Sequence, residues 1–366
     1  MKIWIDKRIV LTLDAGGTNF VFSAIKMGRE VVDPIQKPSY ADNLDLCLQT
    51  IIDGFQEVLD LLKENPVAIS FAFPGPADYR NGIIGDLPNL PAFRGGVALG
   101  PMLKEHFNIP VFINNDGDLF AYGEALGGVL PKINKCLEEA NSSKRYRNLI
   151  GVTLGTGFGG GLVHNDELFI GDNSIASEVW LTSSRVFPDR FAEEGISTRA
   201  IQRVFRENVT IHYPDNLMPK DIYEIALDPN NSDQKAALLA FEQFGKCLGD
   251  SLANLLTIID GIAVIGGGLT GAHALYMPAA LKEMNGKCYT ATGESLSRLV
   301  QRVYNIDDEN DFDQFIVDKS KEVKIPGTDK TIKYDPVPRL AISTSKLGAS
   351  KAIAIGAYAF ALKALK

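Results

Sequence analysis

The sequence predicts an α/β protein made of two similar halves facing one cleft, and three observations carry that expectation. The stretch Ile9–Ile25, IVLTLDAGGTNFVFSAI, reads as a strand, a glycine turn and a second strand. About 140 residues later NLIGVTLGTGFGGGLVHNDELF repeats the design, with Val152-Thr153-Leu154 before Gly155-Thr156-Gly157 as Leu11-Thr12-Leu13 precedes Asp14-Ala15-Gly16-Gly17-Thr18. A supersecondary unit repeated at domain-scale spacing points to two alike halves. At 366 residues the chain is also longer than a single core usually organises.

The elements follow in order. Leu48, Ile52, Phe55, Leu59 and Leu62 recur at spacings of four and three, which predicts an amphipathic helix on a sheet. VAISFAF then reads as a buried strand that must leave the sheet at Pro74-Gly75-Pro76. A turn-rich loop (GIIGDLPNLPAF) and a short helix over 97–107 lead to the strand Val111-Phe112-Ile113. That strand delivers Asn114, Asn115 and Asp116 at its carboxyl end, where α/β sheets present ligand groups, and a helix is expected to start near Asp118. The polar stretch Lys132–Asn148 marks the crossing into the second half. Later, Phe241, Phe244, Leu248, Leu255 and Ile259 predict a helix running into the strand Ile262–Ile265, which ends on Gly266-Gly267-Gly268. Residues 273–338 include a hairpin around Pro326-Gly327 and the acidic run DDENDFD, read as a solvated surface without calcium-loop spacing. The chain closes in a helix of small residues suited to tight packing against a sheet or a nucleotide edge.

Composition excludes several classes. The net charge of −8 argues against a duplex-binding surface. Cys47, Cys136, Cys247 and Cys288 are scattered, so they read as free thiols of a reducing, cytoplasmic compartment and not as a disulfide frame or zinc site. Neither a secretory leader nor a membrane-spanning run of about 18 apolar residues is expected.

Paired glycines let a backbone approach a ligand and turn amide N–H groups toward an anion. Three such clusters, each beside a strand, favour phosphate binding over ordinary turns. Gly155–Gly160 satisfies G-x-G-x-x-G, but a dinucleotide fold needs a helix next, and Gly161-Leu162-Val163 reads as a strand. No HRD or DFG sequence and no G-x-x-x-x-G-K-[ST] loop accompanies it. From the residues alone, Asp116 is a general base, a helix cap or a turn former. Glu178 lies in an apolar context where a buried carboxylate needs a hydrogen-bond partner. The four histidines share no metal-ligand spacing.

Together these motifs resemble the ROK group (repressors, open reading frames and sugar kinases) of the actin-like ATPase superfamily, from Ile9 to about Gly271 and again from Ser343 onward. DAGGTN at 14–19 resembles the family's first phosphate loop and LGTGFGGGLV at 154–163 its second. NNDGDLFAYGE at 114–124 resembles the segment bearing the catalytic aspartate, and VIGGGL at 264–269 the adenosine-side glycines. PGPAD and PNLPAF match family loops near Gly75 and Asn89. The resemblance implies two actin-like (ribonuclease H-like) α/β domains, residues 1–125 with 350–366 and residues 126–349, the latter extended by an insertion near 273–338.

It further implies an ATP- and magnesium-dependent hexose kinase, acting on a glucose-like or amino-sugar, with Asp116 as base. Asp14 would orient magnesium through water, and Gly16, Gly17, Thr18, Asn19, Gly155, Thr156, Gly157, Gly266, Gly267 and Gly268 would hold the nucleotide. Gly75, Asn89, Asn115, Glu178 and Glu193 would bind the sugar, with closure of the two domains excluding water. A homodimer with no nucleic-acid or membrane partner is the family expectation. The chain departs from the family at two places. Trp180-Leu181 stands where the family has Gly-His, and RFAEEGISTRAI lacks the zinc-binding cysteines, so structural zinc is expected to be absent. A catalytically inactive sugar-binding or regulatory protein is the competing expectation.

Overall fold

A computed structural model describes residues 3–16, 18–75, 77–85 and 91–366. The chain forms two compact units, 1–128 with 161–177 and 347–366, and 129–160 with 178–346. The sequence reading placed 161–177 in the second half; here they lie with the first. Gly161 is one reason: a Cβ there would sit 2.4 Å from the Gly117 carbonyl oxygen and 2.7 Å from Asp118 Cα, so only a bare backbone fits.

In the first unit, β1 (Val10–Ala15) and β2 (Asn19–Lys26) form the expected antiparallel hairpin, with Thr12 opposite Ser23 and Asp14 opposite Val21. β3 (Arg29–Glu30) and β4 (Ile35–Pro38) both pair with β2. After α1 (Leu44–Leu61), β5 (Ala68–Ala72) joins β1 in parallel with all five residues buried. α2 (Leu99–Phe107) leads to β6 (Val111–Asn114), parallel to β5, and then to α3 (Asp116–Leu126). One face of the hairpin (Leu11, Leu13, Phe20, Phe22) meets the buried side of α1 at Ile51, Phe55 and Val58, with Phe22 and Phe55 edge to face at 5.2 Å. Of the five residues that announced α1, Phe55 alone is fully buried; the others flank the core. The C-terminal helix Ala349–Ala364 packs on α3 through its small residues, Gly356 against Leu119 and Gly123 against Ala352.

In the second unit, α4 (Val129–Glu139) occupies much of the segment read as a polar crossing, because Leu130, Ile133 and Leu137 give it a buried face among its charges. β7 (Leu149–Leu154) is followed by β8 (Phe158–His164), which passes into the first unit at Gly161 and there hairpins onto β9 (Glu167–Phe169). α5 (Thr198–Asn208), α6 (Pro219–Leu227) and α7 (Gln234–Ile259) precede β10 (Ile262–Gly266), parallel to β7. The region 273–338 is an ordered elaboration. It holds α8 (His273–Met284), β11 (Arg302–Asn305), α9 (Glu309–Ile316) and two small hairpins, the second turning at Gly327 with φ +77°. β11 pairs with β12 (Arg339–Thr344), which pairs with β10, all parallel.

The acidic run is not simply a solvated surface. Asp308 caps α9 by accepting from Asp311 N–H, and the Asp307 side chain is 7% exposed, bonded to Ser343, Thr344 and Lys346. Among the described residues no helix is long and apolar enough to cross a membrane.

Candidate active site

The first unit gathers its site residues at the carboxyl ends of β1, β5 and β6. Asp14 stands one residue before the end of β1, in an exposed position. The turn after it closes when Gly16 N–H donates to the Asn19 carbonyl at 3.0 Å, and a Cβ on Gly16 would lie 2.8 Å from that oxygen. Gly16 therefore shapes the turn and spends its amide there, while Thr18 and Asn19 stay exposed beyond it. Gly17 and Asn89 fall outside the described residues. Gly75 sits where a Cβ would lie 2.8 Å from the Tyr79 hydroxyl, which donates to the Phe73 carbonyl at 2.9 Å and pins the chain as it leaves β5.

The sequence expected a helix near Asp118; it begins two residues earlier. Asn115 is the cap, its Oδ1 accepting Gly117 N–H at 2.8 Å, so Asp116 is the first helical residue and not the cap. Asp116 Oδ1 also accepts Gly117 N–H at 2.8 Å. Although solvent reaches Asp116, the surrounding protein strips its carboxylate of hydration, and this desolvation pushes its pKa up. The bond from Gly117 opposes the rise and the negative charge of Asp14 adds to it.

Asp14 thus acts on Asp116 electrostatically, and the two carboxylates share one neighbourhood. That donor set fits hydrated magnesium, which needs one or two carboxylates and fills its shell with water and phosphate oxygens. Among the described residues no cluster of three His, Cys, Asp or Glu side chains would cage a metal unaided.

In the second unit, Gly155 N–H donates to Gly157 O at 3.1 Å, and Gly155 O accepts both the amide and the hydroxyl of Thr198 at 2.9 and 3.0 Å. These bonds tighten the turn and leave Thr156 and Gly157 at its tip. Gly155 and Thr156 line a cavity of about 550 Å³ with Thr198, Met218, Tyr223 and Gly268, a size suited to a nucleoside. Gly267, at φ +92°, brings the third glycine cluster beside β7, where a Cβ would lie 2.3 Å from Leu154 O. Gly266 ends β10. Sequence reasoning missed Thr198 and the start of α6. Pro219 at the first helical position was the signal there, since its fixed φ favours a helix start.

Glu178 precedes one short helical turn and Glu193 lies in another, the two linked by a bridge between Ser183 and Phe191. Glu178 is exposed, so it is not the buried carboxylate that its apolar context suggested, and it accepts the indole N–H of Trp180. Glu193 accepts Phe158 N–H at 2.9 Å and pairs with Arg199 at 2.8 Å. Leu181 is 57% exposed.

The sequence matches the ROK family over residues 10–305. The chain belongs to the ROK family. This ROK protein is similar to the crystal structure of a glucokinase from Parabacteroides distasonis, 52% identical over 99% of both chains, with a TM-score of 0.90. It is 29% identical to N-acetyl-D-glucosamine kinase of Photobacterium profundum over 72% of this chain and 85% of the relative. It is 26% identical to glucokinase of Thermotoga maritima over 72% of this chain and 83% of the relative. The two-domain actin-like fold expected from the sequence is the fold of this family.

Proposed function

We propose that this ROK protein is a sugar kinase that transfers the γ-phosphoryl group of ATP to a hexose hydroxyl, with Asp116 as general base. The observation that carries the reading is the placement of Asp116, at the carboxyl end of a parallel strand, opening a helix, with Asp14 in its electrostatic neighbourhood. Phosphoryl transfer depends on positioning and charge neutralisation more than on covalent chemistry. Asp116 takes the proton of the attacking hydroxyl, a task its raised pKa suits. Asn115 fixes the helix start that aims it.

Thr18, Thr156 and the amides at the tips of the two turns hold phosphate oxygens, and the cavity at Gly155, Tyr223 and Gly268 takes the nucleoside. Asp14 would hold magnesium through water, and the ion would supply neutralisation of phosphate charge. Gly75, Asn89, Asn115, Glu178 and Glu193 receive the sugar. Glucose and amino-sugars are the substrate class, in keeping with the named activities of the relatives. The reading includes a cytoplasmic homodimer with neither nucleic acid nor membrane as partner. Light scattering on the eluted protein tests the dimer.

A coupled ADP-release assay with magnesium-ATP over a panel of hexoses and amino-sugars tests the activity. Sugar-stimulated ADP on one or more supports the kinase. No stimulation on any, with sugar binding retained, supports the inactive binding protein instead.

A further inference from the structure

Glu178 is exposed, and a free glutamate at the surface samples many rotamers, which is a poor state from which to recognise one hydroxyl. Its neighbour two residues on removes that freedom. The turn Val179–Leu181 is closed by Leu181 N–H to Glu178 O and Thr182 N–H to Val179 O, both at 3.1 Å. The turn carries Trp180 back over Glu178, where the indole N–H donates to Oε2.

The indole is itself held. Its ring stands edge to face on Phe191 at 5.7 Å, and Phe191 is fixed by its bridge to Ser183 and by the bond from Ala192 N–H to Thr182 O at 2.8 Å. An indole is a donor only, so the bond has one sense, and a donor to a carboxylate is stronger than one to a neutral acceptor. With Oε2 engaged, Oε1 is the oxygen left to accept.

We propose that Trp180 is a positioning residue for sugar recognition, holding Glu178 so that its Oε1 accepts a single ring hydroxyl. The inference rests on the sugar-kinase reading and deepens it. Trp180 acts through Glu178, so its loss falls on sugar affinity and not on the chemical step.

The test compares wild type with Trp180→Phe, which keeps an aromatic ring against Phe191 but has no donor, and Trp180→His, which restores one. Steady-state kinetics on the best sugar of the panel should show KM for sugar raised about tenfold in Trp180→Phe, as for one lost charge-assisted bond. KM for ATP and kcat at saturating sugar should stay within about twofold, with partial recovery of sugar KM in Trp180→His.

A second readout is spectroscopic. The chain has two tryptophans, so Trp4→Phe leaves Trp180 as sole indole emitter, and sugar added without nucleotide should shift its emission. An unchanged sugar KM in Trp180→Phe, an equal loss in kcat, or emission indifferent to sugar would overturn the inference while leaving the kinase reading intact. Absence of sugar-stimulated ADP release in the wild type would overturn both.

Discussion

Glu193 accepts a hydrogen bond from the backbone N–H of Phe158 at 2.9 Å, and the same Oε2 lies 2.6 Å from where a Cβ on Gly157 would stand. The carboxylate therefore fills the space that Gly157 leaves empty and braces the second glycine turn from behind. The remaining oxygen pairs with Arg199, which also holds Glu194. The carboxylate proposed for the sugar thereby also supports the glycine turn proposed for phosphate. Glu193→Ala removes a charged acceptor from a backbone donor, a loss of about 2 kcal/mol, or about thirtyfold in affinity. KM for ATP should rise by that order, measured at saturating sugar. Glu193→Gln keeps an acceptor and should cost about threefold. A Glu193→Ala enzyme with normal KM for ATP would show that the loop stands without the brace.

The C-terminal helix gives a prediction of pure packing. A Cβ on Gly356 would lie 1.9 Å from the carbonyl oxygen of Leu119, and one on Gly123 1.9 Å from that of Ala352. These backbones touch directly, and neither obstacle is a side chain that can swing aside. Gly356→Ala should therefore separate the C-terminal helix from α3, costing about 3 kcal/mol and lowering Tm by about 5 °C. Because α3 begins with Asp116, kcat should fall along with Tm. Thermal melts and initial rates on the purified variant check both.

The parts of this molecule that were legible in its sequence are those where one local rule decides. The two strand–turn–strand units carry glycines where backbones must bend or meet, and both appear as hairpins at Asp14 and Gly155. Other features depend on contacts distant in sequence. Nothing near Glu193 predicts that its partner is Phe158, 35 residues away. Met218 and Tyr223 have ordinary helix-start composition, and the cavity alone brings them to Thr156 and Gly268. Asn115, a better cap than Asp116 in this setting, moved the helix start by two residues. Asp307 looked like one acid among several until β11 and β12 aligned it with Thr344.

Asp307 should reveal itself under acid. Burial alone would raise its pKa, but bonds from Lys346, Thr344 and Ser343 outweigh that and hold it below the ordinary 3.8. A carboxyl depressed in the folded state contributes stability above its unfolded pKa and loses it as pH falls through the folded value. Asp307→Ala should lower stability by about 3 kcal/mol near neutrality, since it strands the Thr344 amide and hydroxyl. The gap in Tm between wild type and variant should hold constant down to about pH 5. It should then shrink progressively once pH drops below 3.8, as wild-type Asp307 protonates. A pH-independent gap would mean that packing and not charge ties β11 to β12.

Asp116, the proposed base, carries the opposite sign. Desolvation and the Asp14 charge raise its pKa, so the ionised form that the proposed role requires is the one the fold disfavours. The penalty is absent below the unfolded pKa, where both states are protonated, and grows as pH rises through the interval up to the folded pKa. Asp116→Asn abolishes the charge without changing the shape of the side chain. It should lower kcat by about 10³-fold while sugar binding, followed by calorimetry, survives. It should also raise Tm near neutral pH, with the gain vanishing as pH falls through the ordinary aspartate range. In the wild type, kcat/KM for sugar should fall on the acidic side with a midpoint above the ordinary aspartate value of 3.8, and that limb should vanish in the variant's residual activity. Near-normal turnover in Asp116→Asn would remove Asp116 from the role of base. A loss of turnover without the gain in Tm would mean that the carboxylate is held there by a compensating partner.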